Sequence, residues 1–222
     1  MPCLVYCVTQ LGPTPATDLV GVADQPVLTH ESQDLRIYWS EVANAETLSE
    51  GPARKAAELK FRQALREVIA VSTALSFPYP SMVAGSDAMD TLLSEQRDFY
   101  REALTRLADT VQYELTATWA EEERADFATP VSGREYVKRR QQAETRIGAI
   151  DSKLKNITAG IVREWRSRQD RRRRIWFALL ARADRERFLA ALRSAGPSEG
   201  VRLRLSGPWP PNEFVLLQRR PE

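Results

Sequence analysis

The sequence predicts an α+β protein in two parts. Three observations carry that expectation. Short runs with a two-residue alternation of apolar and polar side chains are interleaved with segments of helical spacing, and Val111 to Trp119 is one of the cleanest of the former. A helical segment after Ser132 repeats its apolar positions in strict heptad steps. The chain then closes on a buried apolar run, a short helix and an alternating strand. Two helices among about four strands in residues 1–120 point to a ferredoxin-like domain, with helices on one face of a mostly antiparallel sheet. Residues 121–131, opened by Glu121-Glu122-Glu123 and holding Pro130, read as a linker. Residues 132–222 then form a C-terminal α+β domain with a long coiled-coil-like helix, a strand–helix–strand unit and a proline-rich tail.

Taken in order, Leu4 to Val8 is apolar and rich in strand formers, and is expected at the centre of a sheet. Gly12, Pro13 and Pro15 end it. Leu19 to Val22 and Gln25 to Thr29 are short strand candidates, followed by a turn at His30-Glu31-Ser32. Leu35, Ile37 and Trp39 alternate with Arg36, Tyr38 and Ser40 as a half-buried strand does. Pro52 suits a first helical turn, and Ala57, Phe61, Ala64, Leu65 and Val68 predict a helix over 53–70. Val71 to Phe77 reads as a strand and Pro78 to Gly85 as a loop. Ser86 or Asp87 caps one helix running to Leu107.

In the second part, Ser132 with Glu135 makes a capping box. Tyr136, Arg140, Ala143, Ile147, Ile150, Leu154, Ile157 and Ile161 follow in alternating steps of four and three. The helix is expected to reach Gln169, about 57 Å at 1.5 Å per residue, with a possible break near Gly160. Its seam must be buried on this chain or on a partner. Ile175 to Ala181 reads as a strand buried on both faces. Asp184 caps a helix to Arg193, and Val201 to Ser206 is the paired strand, broken by Gly207-Pro208. Trp209 then stands among three prolines, either as an elbow with its indole packed on the core or as an exposed Trp-Pro docking surface. The candidate partner-binding residues are therefore Ile147, Ile150, Leu154, Ile157 and Ile161 on the seam, and Trp209, Pro210 and Pro211 in the tail.

The totals exclude several functions. With 43% hydrophobic and 28% charged residues, the balance is that of an ordinary globular chain. A net charge of +2 gives no global field for nucleic acid. No run of about 18 apolar residues occurs, so no membrane span is expected. The first residues lack the basic and apolar regions of a signal peptide, so the expected compartment is the cytosol. Cys3 and Cys7 lie about 13 Å apart on a strand, too far for a disulfide with each other, and two thiols with one histidine cannot fill a zinc site. No phosphate loop, metal spacing or nucleophile motif is present, so neither a cofactor nor catalysis is expected. His30, the only histidine, is the weak exception. Arg163 to Arg174 forms a basic patch that would suit an anion or a nucleic acid as an alternative function.

Five stretches in the right order resemble the gas vesicle protein family GvpL/GvpF. Leu203-Arg204-Leu205-Ser206-Gly207-Pro208-Trp209-Pro210-Pro211 with Phe214-Val215 is similar to its C-terminal signature. Leu4 to Val8 resembles its opening strand, and Leu107 to Leu115 its helix-to-strand turn. Ser132 to Arg140 resembles the start of its long helix, and Ile175 to Leu192 its buried strand and following helix. Thr73 to Pro78 and Asn212-Glu213 depart from the family pattern. The resemblance implies a non-enzymatic accessory protein of gas vesicles, the gas-filled protein shells that give buoyancy. It implies an N-terminal ferredoxin-like domain, a C-terminal domain with a coiled-coil helix, and a role as minor shell component or assembly factor. The implied partners are the small hydrophobic shell protein and other accessory proteins, and the implied place is the gas vesicle.

Overall fold

The computed structural model describes residues 2–16, 18–42, 48, 51–119, 132–170, 173–196 and 201–215. The expected linker at 121–131 lies outside them. The chain forms a mixed α/β protein with antiparallel sheets, divided into two compact units. The first comprises Met1–Val111 with Pro208–Glu222, and the second Gln112–Gly207. The tail expected to finish the C-terminal domain thus groups with the first unit.

In the first unit, β1 (Cys3–Gln10), β2 (Leu28–Ser32), β3 (Leu35–Glu41) and β4 (Ala74–Ser76) form a sheet in the order β2-β3-β1-β4, and β5 (Met82–Val83) also pairs with β1. β1 is central, as its apolar run requires, and seven of its residues are buried. Its pairings with β3, β4 and β5 are antiparallel, with a bulge between Val5 and Cys7 against β3. Three strands precede the first helix, so the strand–helix–strand–strand–helix–strand succession of a ferredoxin-like domain, expected over 1–120, is not the order found here. His30-Glu31-Ser32 lies in β2 rather than in a turn. The expected helix from Ser86 to Leu107 is two, α2 (Ser86–Glu95) and α3 (Arg97–Arg106), because Gln96 leaves helical geometry at φ −118° and ψ 16°.

The first core forms where α1 (Gly51–Val71) buries its periodic face, Ala57, Phe61, Ala64, Leu65 and Val68, together with Leu4, Tyr6 and Tyr38. Tyr6 stacks on Phe61 with ring centroids 4.9 Å apart. Its buried hydroxyl lies 3.1 Å from Ser40 Oγ and accepts from the Val22 N–H at 2.9 Å, so the phenol's polar end is satisfied. A Cβ at Gly21 would fall 2.2 Å from that hydroxyl, so only glycine fits the loop above it. Met89, Leu93, Tyr100 and Leu104 of α2 and α3 are buried as well.

The second unit runs β6 (Thr110–Trp119), α4 (Gly133–Ile157), β7 (Val162–Asp170), β8 (Arg173–Ala181), α5 (Arg185–Ser194) and β9 (Val201–Trp209), with β6 crossing in from the first unit. Its sheet has the order β7-β8-β6-β9. The alternating succession expected in the first 120 residues occurs here. The inner strand β8 buries Trp176, Phe177, Ala178, Leu179 and Leu180 on both faces, as its continuous apolar run predicts. Trp176 Nε1 donates to the Asp151 carboxylate of α4 at 2.9 Å, and Tyr113 meets Phe188 of α5 at 5.2 Å between ring centroids.

The long helix is shorter than expected. It ends at Ile157, a length of about 37 Å, rather than continuing to Gln169. Thr158 closes its last turn by donating to the Leu154 carbonyl, and Gly160 takes φ +71°, a left-handed stop that glycine adopts without strain. Val162–Asp170 pairs antiparallel with β8 instead. β9 in turn continues through Gly207-Pro208, where a break is expected from sequence. Proline is tolerated because β9 lies at the sheet edge. Gly207 is required there: at φ +132°, an added Cβ would stand 2.9 Å from Tyr113 Cδ1 and 3.0 Å from the Gln112 carbonyl.

Candidate functional site

The heptad seam is largely consumed by the fold. Ile150 is 7% exposed and Leu154 4%, and Thr158 beyond them is buried too. Ile147, Ile157 and Ile161 are half-buried, with Ile161 outside the helix. The reason is the Asp151–Trp176 hydrogen bond, which lies between Ile150 and Leu154 in sequence and holds this part of α4 on its own sheet. Burial acts on Asp151 to raise its pKa, but hydrogen bonds from Lys155 and Trp176 outweigh it and hold the carboxyl below the ordinary range. Val137, nearer the helix start, is an exposed apolar side chain.

The tail is an elbow with a packed indole. Pro210 and Pro211 are buried and Trp209 is half-buried. Arg62 and Arg66, one turn apart on α1, hold their guanidinium carbons 5.7 and 5.1 Å from the centre of the Trp209 ring. Such cation–π contacts are worth about 0.5–2 kcal/mol each. Asn212 then fastens the chain to β4. It accepts from the Ser76 N–H at 3.0 Å and donates to the Ser76 carbonyl at 2.6 Å and hydroxyl at 3.0 Å. Phe214 is wholly buried, and Arg106 donates to its carbonyl. The two arginines above Trp209 are not legible from sequence. Their spacing of four marks one helix face, but nothing links that face to a residue 143 positions away.

His30 stands on β2 with Nε2 2.9 Å from Asp90 Oδ1 on α2, a structural tie between strand and helix. The His30 hydrogen bond, with a smaller one from Ser32, holds the Asp90 carboxyl below its usual range. Cys3 and Cys7 are buried, unbridged residues of β1, and burial pushes both thiols up.

The arginine patch forms the β7–β8 hairpin, with Arg171 and Arg172 outside the described residues. Arg163 and Arg173 are exposed. Arg166 pairs with Glu164 at 2.8 Å. Arg168 lies over the Phe177 ring at 5.6 Å, and Arg174 donates to Ser167 Oγ at 2.8 Å. Among the described residues, no cluster of three metal-ligating side chains forms, and no helix is long and apolar enough to cross a membrane.

These features define a two-unit α+β protein whose candidate surfaces are a helix seam, a proline elbow and a basic hairpin. The chain belongs to the gas vesicle synthesis protein GvpL/GvpF family, whose profile matches residues 2–216. Its fold is similar to the crystal structure of gas vesicle protein GvpF from Anabaena sp. PCC7120. The two share 15% identity and a TM-score of 0.75 over 100% of this chain and 98% of that one. GvpF from Microcystis aeruginosa is similar at 13% identity and a TM-score of 0.75, over 97% of this chain and 99% of that one. No match is found among curated proteins.

Proposed function

We propose that this protein is a non-enzymatic accessory protein of the gas vesicle, acting in the cytoplasm as a minor shell component or assembly factor. Its partners in this reading are the hydrophobic shell protein and other accessory proteins. The observation that carries it is the family match from residue 2 to 216, which spans both units and the tail signature. The second unit, with its strand order β7-β8-β6-β9, is read as the ferredoxin-like part. Ile150 and Leu154 serve the fold in this reading. The half-buried Ile147 and exposed Val137 leave the early part of α4 to meet a partner, by docking one helix face against another.

Co-flotation tests the proposal. Vesicles are collected by centrifugal flotation from cells making this chain with the shell proteins, and the floated layer is probed for it. Recovery in that layer supports a shell component. A soluble protein without which vesicles fail to form supports an assembly factor. Normal vesicles in its absence, with no flotation, overturn the reading.

A further inference from the structure

The side of α1 turned away from the core carries a basic strip with an apolar residue in it. Lys55, Leu59, Arg62 and Arg66 follow in steps of four, three and four, which at about 100° per residue puts all four within about 60° of one another. All four are exposed, and Leu59, at 66%, is the most exposed large hydrophobic side chain among the described residues. No acid lies within the strip. Glu58 flanks it and is tied to Arg62. Glu67 stands about 100° from Arg66, on the flank where Lys60 pairs with Asp24. Counting Glu58 against Arg62 still leaves Lys55 and Arg66 as surplus cations, and no carboxylate among the described residues pairs with either.

The tail holds the two arginines in place. Arg62 and Arg66 lie over the Trp209 ring at 5.7 and 5.1 Å, and both partners belong to the first unit. A guanidinium stacked on an aromatic ring keeps the N–H groups of its edges for a carboxylate, and it loses less freedom when one binds. Steps of four, three and four are those by which one helix meets another laid along it. The sign of the charge then selects among helices, because a second copy would set cations against cations. We infer that this strip of α1 docks an acidic helix of a partner protein, with an apolar side chain against Leu59 and carboxylates facing Lys55, Arg62 and Arg66. The strip is about 16 Å long, three turns of such a helix. It lies in the first unit, apart from α4, and the inference does not rest on the gas vesicle reading.

The test is fluorescence anisotropy of the full-length protein with labelled alanine-based peptides of about eighteen residues, long enough to form a helix. The first peptide has a central Leu with two Glu on either side, in steps of four and three along one face, so that it can dock in either direction. A second has the same composition with its Glu residues moved to the other faces. A third keeps the face but carries a central Pro, which breaks the helix. The first is expected to bind at least about tenfold more tightly than the other two, and to weaken as salt rises from about 50 to 200 mM. K55E/R66E, checked for an unchanged thermal melt, is expected to lose at least about tenfold in affinity. L59A, at a side chain already in water, should lose about threefold or more, and it keeps the test decisive should R66E disturb the tail. R163E/R202E makes the same change of charge at exposed sites of the second unit and should bind as the parent does. Equal binding of the second or third peptide, an equal loss in R163E/R202E, or no binding at low salt would each overturn the inference. So would self-association of the protein that L59A abolishes, since the occupant would then be a second copy.

Discussion

Replacing Leu154 by alanine asks where the seam of α4 is satisfied. Leu154 is 4% exposed, so almost all of its side chain is withdrawn from water. Truncation removes three buried carbons, about 2.4 kcal/mol at roughly 0.8 each, and the cavity left behind raises the loss to about 3–4 kcal/mol. Ile147 is half-buried, so I147A should cost only about 1 kcal/mol. With a urea slope of about 1.5 kcal/mol per molar for a unit of this size, L154A should lower the midpoint by about 2 M and I147A by well under 1 M. The assay is urea unfolding followed by far-UV circular dichroism, with sedimentation velocity on the same samples. L154A should leave the sedimentation coefficient unchanged in buffer. A midpoint within about 0.3 M of the parent, coupled to dissociation of an oligomer, would refute the argument, because the seam would then be closed between chains.

Three further outcomes follow from the same geometry. G207A forces a side chain into a left-handed position against Tyr113 and should cost about 1–3 kcal/mol, read as a lowered melting temperature. N212A removes the three hydrogen bonds to Ser76 and should cost about 1 kcal/mol. It should also expose the tail to limited proteolysis near Trp209, and an unchanged cleavage pattern would count against the elbow. Stability should fall on acidification, for Asp34, Asp90 and Asp151 are all held below the ordinary carboxylate range. Arg97 does this to Asp34, His30 to Asp90, and Lys155 and Trp176, against burial, to Asp151. A depressed folded-state pKa gives stability that is present above the unfolded value and lost as pH falls through the folded one. D34N, D90N and D151N should each flatten the melting temperature's dependence on pH below about 5.

Where the sequence predicts the fold well, the strands are internal. β1 is buried along nearly all its length and β8 from Trp176 to Leu180, so an unbroken apolar run identifies them. β3 and β6 are identified by their alternation, but β3 is not half-buried as that pattern predicts: five of its seven residues are buried, with Arg36, Tyr38 and Ser40 among them. The strands misjudged lie at sheet edges, among them the two-residue β5, which reads as part of a loop. β2 carries His30, Glu31 and Ser32 because it is largely exposed, so its polarity reads as a turn. β4 is only three residues long inside a seven-residue apolar stretch. β7 reads as more helix because Ile157 and Ile161 continue the heptad past Gly160. β9 reads as broken at Pro208, a residue that only an edge accepts.

The candidate site divides along the same line. Ile150 and Leu154 are legible as a buried seam, but a heptad does not distinguish a partner helix from the chain's own sheet; the tryptophan of β8 that binds Asp151 decides it. Conversely, the elements that sequence periodicity describes worst hold the groups that can act on other molecules. An edge strand keeps polar side chains because water, not core, lies beside it, and that solvation erases the apolar signal. It also leaves a row of backbone groups that no local rule satisfies.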